Sequence, residues 1–225
     1  MPFHDHITRF KEAYSRYPLS ELKTGKYREY EVRANWKILC ENFNECYHCG
    51  PIHPELCQLV PAFREGGGSD LDWENGVPHR EGAATYTPSG LSDRRSFPGL
   101  NEAEQTKHKG EIVYPNLFLS LSRDYVVGMT LKAESAELTR IGCYFLFEAC
   151  ELEKTTFDAN DAIEFWDIIN RQDFAICESV QQGMSSSVHE IGLYSPMEDW
   201  NLDIREYVAG RISKFVKSYN SEDSL

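Results

Sequence analysis

The densest group of potential metal-ligand side chains in this 225-residue chain lies in residues 35–57, NWKILCENFNECYHCGPIHPELC. The segment contains two of the seven histidines and four of the seven cysteines. His48 and His53 stand in an H-x4-H arrangement, and Glu45 precedes His48 by three residues. This local density of imidazole, thiol and carboxylate groups predicts a metal site, and the rest of the chain is interpreted around it.

The spacing of the two histidines requires a break in the backbone. On an unbroken α-helix, positions five residues apart point roughly 140° away from each other, so both imidazoles could not reach one ion. Pro51 disfavours the helical conformation at Gly50, and we therefore expect the helix that begins near Trp36 to end about there. His48 would then project from the last helical turn and His53 from the following bend. Such a pair suits a metal that keeps open coordination positions.

The thiols allow a second interpretation, a closed zinc site. Three cysteines and one histidine approximate the spacing of a zinc knuckle, namely Cys46, Cys49, His53 and Cys57. The longer spacings are each one residue short of the usual knuckle. The formal net charge of −13 also opposes the binding of phosphate groups. The open site is therefore favoured, and the knuckle stays an alternative.

Length and composition predict one folded domain that spans residues 1–225. A hydrophobic content of 41% with 12% aromatic residues is typical of a globular protein. The negative charge argues against nucleic acids and anionic membranes as partners. The sequence shows no apolar run of membrane-spanning length and no signal-peptide core. We therefore expect a cytoplasmic protein whose cysteines are reduced thiols.

Hydrophobic periodicity predicts an α+β fold. Residues 1–34 form a lead-in, with a helical pattern over 1–18 and strand-like alternation over 27–32. An antiparallel meander is predicted from three strand-length runs, at 112–122, 125–133 and 138–148.

The C-terminal part of the sequence predicts two helices. Residues 158–161 offer caps for a long helix that runs through Gln182 and is closed by Gly183. Residues 202–218 have apolar positions at helical spacing and predict a last helix.

The stretch 60–110 is rich in glycine, proline, serine and charge, so its regular structure must be short. Residues 83–87 could form a strand. His79 and His108 fall in this stretch, and we expect both to be solvent-exposed loop histidines rather than ligands.

The motif residues also resemble a known family. The pattern NWK-x3-EN-x2-E-x-YH-x4-HPEL is similar to the start of the catalytic domain of Rieske-type non-haem iron oxygenases, the α subunits of the ring-hydroxylating type. The likeness is strongest to the branch that acts on glycine betaine, carnitine and choline. It extends over nearly the whole chain through VPAFREGG, HKGEIVYPNLFLSLS, FWDIINRQDFAICESVQQGM and YSPMED. It implies a helix-grip fold, in which a long C-terminal helix lies across a curved antiparallel sheet.

The resemblance implies a mononuclear Fe(II) bound by two histidines and one carboxylate. His48 and His53 match the family's histidines, and Asp173 of RQDFAICE matches its carboxylate. From the residues alone, Asp167 and Glu178 on the same predicted helix stay open as alternatives.

Three further residues are assigned to the catalytic centre. Glu45 can accept a hydrogen bond from the second ring nitrogen of His48 and so fix its tautomer. The resemblance implies that this acid also links the iron ligand to a cluster-binding histidine on a neighbouring subunit. Asn42 and Tyr47 resemble family residues near the iron.

The implied reaction is a mono- or dioxygenation that hydroxylates or N-demethylates a small organic substrate with O2. A quaternary ammonium substrate would gain from aromatic ring faces within about 6 Å. The aromatic candidates for substrate binding are Tyr114, Phe118, Phe174 and Tyr194, followed by Tyr125 and Trp200.

The sequence departs from the family at the Rieske [2Fe–2S] cluster, which needs a C-x-H and a later C-x2-H. The one C-x-H pattern, Cys46 to His48, lies inside the metal motif, and no C-x2-H occurs. We therefore expect the cluster on a separate domain or chain, fed by a reductase, and no turnover without that donor. A homotrimer is implied by the family. The alternative is a noncatalytic small-ligand-binding protein on the same scaffold.

Overall fold

A computed structural model describes residues 7–64, 71–190, 192–198 and 200–222. Within these ranges the strands are β1 (Lys23–Val32), β2 (Val77–Pro78), β3 (Lys107–Val113), β4 (Leu117–Leu121), β5 (Val126–Ser135) and β6 (Leu138–Phe147). They form one antiparallel sheet of six strands in the order β1-β6-β5-β4-β3-β2.

The helices precede, follow and cover this sheet. In the described ranges they are α1 (Thr8–Ala13), α2 (Trp36–Asn44), α3 (Cys49–Ile52), α4 (Pro54–Leu59), α5 (Ala149–Leu152), α6 (Asn160–Met184) and α7 (Asn201–Glu222). The predicted α+β class, with a long helix packed on an antiparallel sheet, is confirmed. None of the described helices combines the length and apolar character that a membrane span needs.

The alternation of side chains along the strands gives the sheet an apolar layer on each face. On β5, Val127 belongs to the large core cluster that includes Trp166 of α6, whereas its neighbour Val126 belongs to a second cluster. That second cluster includes Phe10 of α1 and Tyr14. The lead-in therefore covers one face, and the long helix covers the face that holds the site.

The predicted strand at 112–122 was wrong, because the chain forms two strands there. Val113 at the end of β3 pairs with Leu117 at the start of β4. Pro115 lies between them and has no N–H for a strand ladder. The Asn116 side chain donates to the carbonyl of Leu131 at 2.9 Å and holds the turn.

Two other local predictions also differ from the structure. Residues 83–87 form no strand, because the N–H groups of Ala84 and Thr85 both donate to the carbonyl of Gly90. Gly90 has a φ of +79°, a conformation that glycine adopts without strain. The long helix passes through Gly183 and ends one residue later, so the predicted glycine stop was also wrong.

The helix predicted over residues 1–18 is short in the described part. It spans Thr8–Ala13, while residues 1–6 lie outside the described residues. The last helix and β1 are both longer than predicted, since they span Asn201–Glu222 and Lys23–Val32.

A buried ion-pair network holds the N-terminal end of α6. Arg94 Nε lies 2.9 Å from Asp124 Oδ2, and Arg94 Nη1 lies 2.7 Å from Asp161 Oδ1. Arg94 is 7% exposed and Asp124 is fully buried. Because Asp161 lies in the first turn of α6 and Asp124 between β4 and β5, the network ties the long helix to the sheet.

We expect Arg94→Ala to lower the free energy of unfolding by about 3–5 kcal/mol, because it leaves the buried charge of Asp124 without its cation. The matched control is Arg95→Ala. Arg95 is exposed over 55% of its side chain and pairs with Glu148, so its loss should cost less than about 1 kcal/mol. Urea denaturation of both variants measures the difference, and equal losses would contradict the assignment.

Candidate metal centre

The backbone of the metal motif breaks earlier than predicted. Helix α2 ends at Asn44, and Glu45 is extended with φ −127° and ψ 153°. The predicted end near Gly50 was therefore wrong. The Glu45 carboxylate accepts the backbone N–H of His48 at 3.2 Å, which starts a new short helix instead of prolonging the first. Pro51 lies in the first turn of that helix, where a missing N–H removes no helical hydrogen bond.

The two histidines occupy the ends of α3. His48 precedes its first residue, and His53 joins its end to α4. Their rings lie at 73° to each other, with centroids 5.2 Å apart. The bend between them turns both Nε2 atoms toward the same point on α6.

That point is the carboxylate of Asp173. Its Oδ1 lies 3.2 Å from His48 Nε2 and 3.0 Å from His53 Nε2. Adjacent ligand atoms around an ion with bonds of roughly 2.1 Å lie roughly 3 Å apart. The three atoms therefore fit neighbouring positions on one metal ion, and the chemistry of this donor set fits Fe(II) with open positions opposite.

The two other acids considered for this role lie elsewhere on α6. Asp167 accepts the hydroxyl of Tyr30 at 2.9 Å and pairs with Arg171 at 2.7 Å. Glu178 accepts the backbone N–H of Arg33 at 2.9 Å. Both are bound to other partners, so the structure brings Asp173, and neither of them, to the histidines.

Each imidazole is oriented through its other nitrogen. His48 Nδ1 lies 2.5 Å from Glu45 Oε1. His53 Nδ1 lies 2.8 Å from Gln172 Oε1, and the Gln172 amide in turn donates to Glu55 at 2.9 Å. Because an oxygen acceptor faces each Nδ1, the ring protons are held there and Nε2 is left for a metal.

Sequence reasoning missed Gln172 and Glu55. Both lie close to proposed ligands in the motifs, since Gln172 directly precedes Asp173 and Glu55 follows His53 by two residues. That adjacency was the signal available to find them.

The other two residues assigned to the centre are placed differently. Asn42 Nδ2 donates to Asp173 Oδ1 at 2.8 Å, so it contacts the proposed ligand directly. Tyr47 is 52% exposed and lies at the surface between Glu45 and His48 in sequence.

The four residues of the zinc-knuckle alternative do not converge. Cys46 and Cys49 form a disulfide, which also departs from the expected set of reduced thiols. Cys57 Sγ donates to the carbonyl of Cys49 at 3.3 Å, and both ring nitrogens of His53 face Gln172 and Asp173. The sulfur of Cys49 lies within 4.8 Å of the histidine nitrogens but is already bonded.

The proposed ligands open onto a cavity of about 670 Å³ beneath α6. Its aromatic wall is formed by Phe43, Phe63, Trp73, Tyr86, Tyr114 and Trp166, with Trp200 half-exposed at the edge. Five of these aromatic residues were not predicted, because they come from irregular segments or from helix faces whose apolar pattern is typical of plain core.

The predicted substrate-binding aromatics divide into two groups. Tyr114 and Trp200 line the cavity. Phe118 lies behind Phe43, with ring centroids 4.5 Å apart. Three more lie away from the wall: Phe174 packs on Tyr30, Tyr194 donates to Glu41, and Tyr125 accepts the Trp166 indole N–H.

The predicted exposure of two loop histidines was wrong. His79 and His108 are both buried, at 9% and 5% exposure. His108 belongs to β3, and its ring stacks on Tyr86 with centroids 3.6 Å apart. His108 also lines the cavity.

The electrostatics of the centre favour a proton on His48 in the absence of metal. Burial by itself lowers the pKa of His48, but hydrogen bonds to Asp173 and Glu45 outweigh it and raise the pKa to about 9. Burial tends to raise the pKa of Asp173, yet hydrogen bonds to His48 and His53 hold it well below its ordinary value.

The geometry defines a two-histidine, one-carboxylate site beneath the long helix of a helix-grip domain. The family model for the ring hydroxylating alpha subunit (catalytic domain) matches residues 19–214. The chain therefore belongs to the ring-hydroxylating oxygenase α-subunit family, within its catalytic domain.

Similar proteins include oxygenase subunits of the quaternary ammonium branch. A glycine betaine monooxygenase oxygenase subunit of Pseudomonas aeruginosa is 22% identical over 221 residues, covering 85% of this chain and 52% of that protein. A carnitine monooxygenase oxygenase subunit of Acinetobacter baumannii is 26% identical over 174 residues, covering 75% and 43%. The chain thus spans about half the length of the curated relatives it matches.

The fold is shared with a solved structure. The quaternary ammonium Rieske monooxygenase CntA, in complex with an inhibitor, superimposes with a TM-score of 0.66 and 20% identity. The match covers 93% of this chain and 56% of that one.

We expect the apparent affinity for Fe(II) to rise about tenfold per pH unit between roughly pH 6 and 8. His48 must lose its proton to bind a metal, and its folded-state pKa of about 9 lies above the usual 6.5. The same proton stabilises the metal-free fold below pH 6.5, and this contribution is lost as the pH rises through about 9.

Anaerobic competition with a chelator at several pH values measures this slope. In Glu45→Gln the pKa of His48 falls, so the rise should level off at lower pH than in the wild type. An affinity independent of pH over this range would contradict the proton assignment.

Proposed function

We propose that the chain is the catalytic portion of a terminal oxygenase, which uses O2 at a mononuclear Fe(II) to hydroxylate or N-demethylate a small organic substrate. The supporting observation is that His48 Nε2 and His53 Nε2 lie 3.2 and 3.0 Å from the same oxygen, Asp173 Oδ1, at the wall of a cavity. Bound Fe(II) would supply the reductive activation of O2.

The residues of this chain have separate tasks in that reaction. Glu45 and Gln172 hold the Nδ1 protons, so both imidazoles present Nε2 in a fixed direction. Asn42 fixes the carboxylate oxygen of Asp173 through its amide N–H. The buried part of the aromatic wall, Phe63, Tyr86 and Trp166, limits the access of bulk water to the substrate.

The overall reaction balances with two electrons and two protons. A substrate methyl group and O2 give a hydroxymethyl group and one water. When that carbon is bound to nitrogen, the hemiaminal breaks down to formaldehyde and the demethylated amine.

We propose a small cationic N-methyl compound as the substrate class. The named relatives act on glycine betaine and carnitine, which are quaternary ammonium compounds. Aromatic ring faces attract such cations. The acidic side chains that line the cavity outnumber the basic ones, with Glu45, Glu74, Glu104, Glu111, Asp173 and Asp203 against Arg16, Lys107 and Lys109.

We propose that the electrons come from a [2Fe–2S] Rieske cluster on another domain or chain, itself reduced by a reductase. Glu45 contacts His48 directly, and the neighbouring Tyr47 is exposed, so this surface can face a donor. Inter-subunit electron transfer is described for a quaternary ammonium Rieske monooxygenase of similar fold. We also propose that the chain forms a homotrimer, in which a cluster-bearing domain or chain associated with one subunit would face Glu45 of its neighbour.

Anaerobic Fe(II) titration with metal analysis tests the ligand set. We expect one iron per chain in the wild type and none in His48→Ala or Asp173→Ala. Asp167→Ala is the matched control, because that acid lies on the same helix but is bound to Tyr30 and Arg171. It should keep its iron.

Other results would redirect the assignment. Zinc that resists chelation and survives Asp173→Ala would indicate the cysteine site. The absence of bound metal would favour the noncatalytic ligand-binding protein. With iron bound, O2, a reduced Rieske protein as electron donor and an N-methyl substrate should release formaldehyde, and Asp173→Ala should abolish this release.

A further inference from the structure

Two of the seven cysteines form a disulfide on either side of a proposed metal ligand. Cys46 and Cys49 are joined and enclose Tyr47 and His48 in the sequence. The N–H of Cys49 donates to the carbonyl of Cys46 at 3.0 Å, so a tight turn brings the two sulfurs together. The other five cysteines are free thiols, namely Cys40, Cys57, Cys143, Cys150 and Cys177. The oxidised pair is therefore confined to the metal motif.

Cys49 lies next to both proposed histidine ligands. Its Sγ and one ring nitrogen each of His48 and His53 lie within 4.8 Å of one another. His53 follows Cys49 by four residues, and its N–H donates to the Cys49 carbonyl at 2.9 Å, so the two side chains leave the same side of this helical turn. Cys46 and Cys49 also line the cavity. A metal ion or a small reductant that enters the cavity therefore reaches this cluster.

The disulfide keeps Cys49 from binding a metal. The thiolate is the form of cysteine that binds metals, and a sulfur in a disulfide cannot supply it. Ligand atoms around a tetrahedral zinc ion lie roughly 3.5 Å apart, since the Zn–S bond is about 2.3 Å and the Zn–N bond about 2.0 Å. The present spread of up to 4.8 Å would therefore have to close by roughly 1 Å. A freed Cys49 side chain can make this movement by changing its rotamer, which the bond to Cys46 prevents.

A free Cys49 would change which ion the centre prefers. Two imidazoles and one carboxylate with open positions suit Fe(II), whereas a thiolate beside imidazoles suits zinc. The added sulfur would also fill a coordination position, and closed sites with cysteine ligands are typical of structural zinc. The redox state of the Cys46–Cys49 pair therefore decides between an open site and a closed one.

We propose that Cys46 and Cys49 form a redox switch of the metal centre. The disulfide leaves the site open for Fe(II), and reduction by a dithiol frees Cys49 to join His48 and His53 around a zinc-type ion. In that reduction the S–S bond breaks, each cysteine gains one electron and one proton, and the dithiol becomes a disulfide. Metal binding then displaces the proton of Cys49 without a further redox change. The switch rests on the proposed function, which makes both histidines metal ligands.

Binding of Co(II) tests the proposal on the full chain, because a thiolate bound to Co(II) gives a sulfur-to-cobalt charge-transfer band in the near ultraviolet. The chain is prepared either oxidised or reduced with dithiothreitol, which is removed anaerobically before the metal is added. Thiol titration of the denatured chain should find five thiols in the oxidised sample and seven in the reduced one. We expect the band in the reduced sample only. The ratio of zinc affinity to Fe(II) affinity should rise at least about tenfold on reduction.

Single substitutions separate the two cysteines. Cys46→Ser removes the disulfide but keeps the Cys49 thiol, so the band should appear without dithiothreitol. Cys49→Ser keeps the Cys46 thiol, and it should bind cobalt without the band in both states. Cys57→Ser is the matched control, because the buried Cys57 thiol lies in the same motif, with its Sγ 3.3 Å from the Cys49 carbonyl. It should behave as the wild type. If Cys46→Ser does not fold, Cys46→Ala makes the same test.

Three results would overturn the proposal: seven thiols in the oxidised sample, cobalt bound to the reduced wild type without the band, or a band that persists in Cys49→Ser. The iron stoichiometry of the oxidised chain tests the proposed function separately. Iron in the oxidised chain without a band in the reduced chain would remove the switch and keep the iron site. A band in the reduced chain without iron in the oxidised chain would remove the iron site and keep Cys49 as a ligand.

Discussion

The structure depends on one carboxylate oxygen that is shared by two imidazoles and an amide. Asp173 Oδ1 contacts His48, His53 and Asn42 within 2.8–3.2 Å, and these three residues come from the segment that precedes most of the sheet. These contacts join the middle of α6 to the α2–α4 region, which lies more than a hundred residues earlier in the chain. A carboxylate held among buried groups needs compensating donors or cations, so this contact positions the long helix.

The two histidines differ in the hydrogen-bond partner of Nδ1 and in the burial of the ring. His48 has a carboxylate on its Nδ1, close to the exposed Tyr47. His53 is nearly fully buried and has a neutral amide, which is held in turn by Glu55. A carboxylate strengthens the basicity of an imidazole more than an amide does. The raised pKa and the exposed neighbour therefore belong to the His48 side, and the fully buried, amide-held ring to the His53 side.

The sequence contained the proposed ligand residues but not the backbone conformation that connects them. The H-x4-H spacing and Pro51 correctly required a bend between the histidines, while the bend itself begins at Glu45, whose side chain accepts a backbone N–H. Periodicity cannot show that event, because it depends on one side-chain hydrogen bond. The same limit explains β3 and β4, since an apolar run looks continuous until Pro115 and Asn116 make the turn.

The residues of the cavity wall could not be predicted from the sequence for a related reason. His108 and Tyr86 lie in a region whose composition indicates an exposed loop, yet their stacking buries both and leaves polar atoms without partners. Loops that pack inward can place neutral donors where a strand or helix would place apolar side chains. The proposed metal ligands and Glu45 come from the motif-bearing segments, whereas Tyr86 comes from the irregular one. The residues around Asp173 therefore belong to segments whose pattern is readable in the sequence, while part of the cavity lining belongs to a segment whose composition conceals its burial.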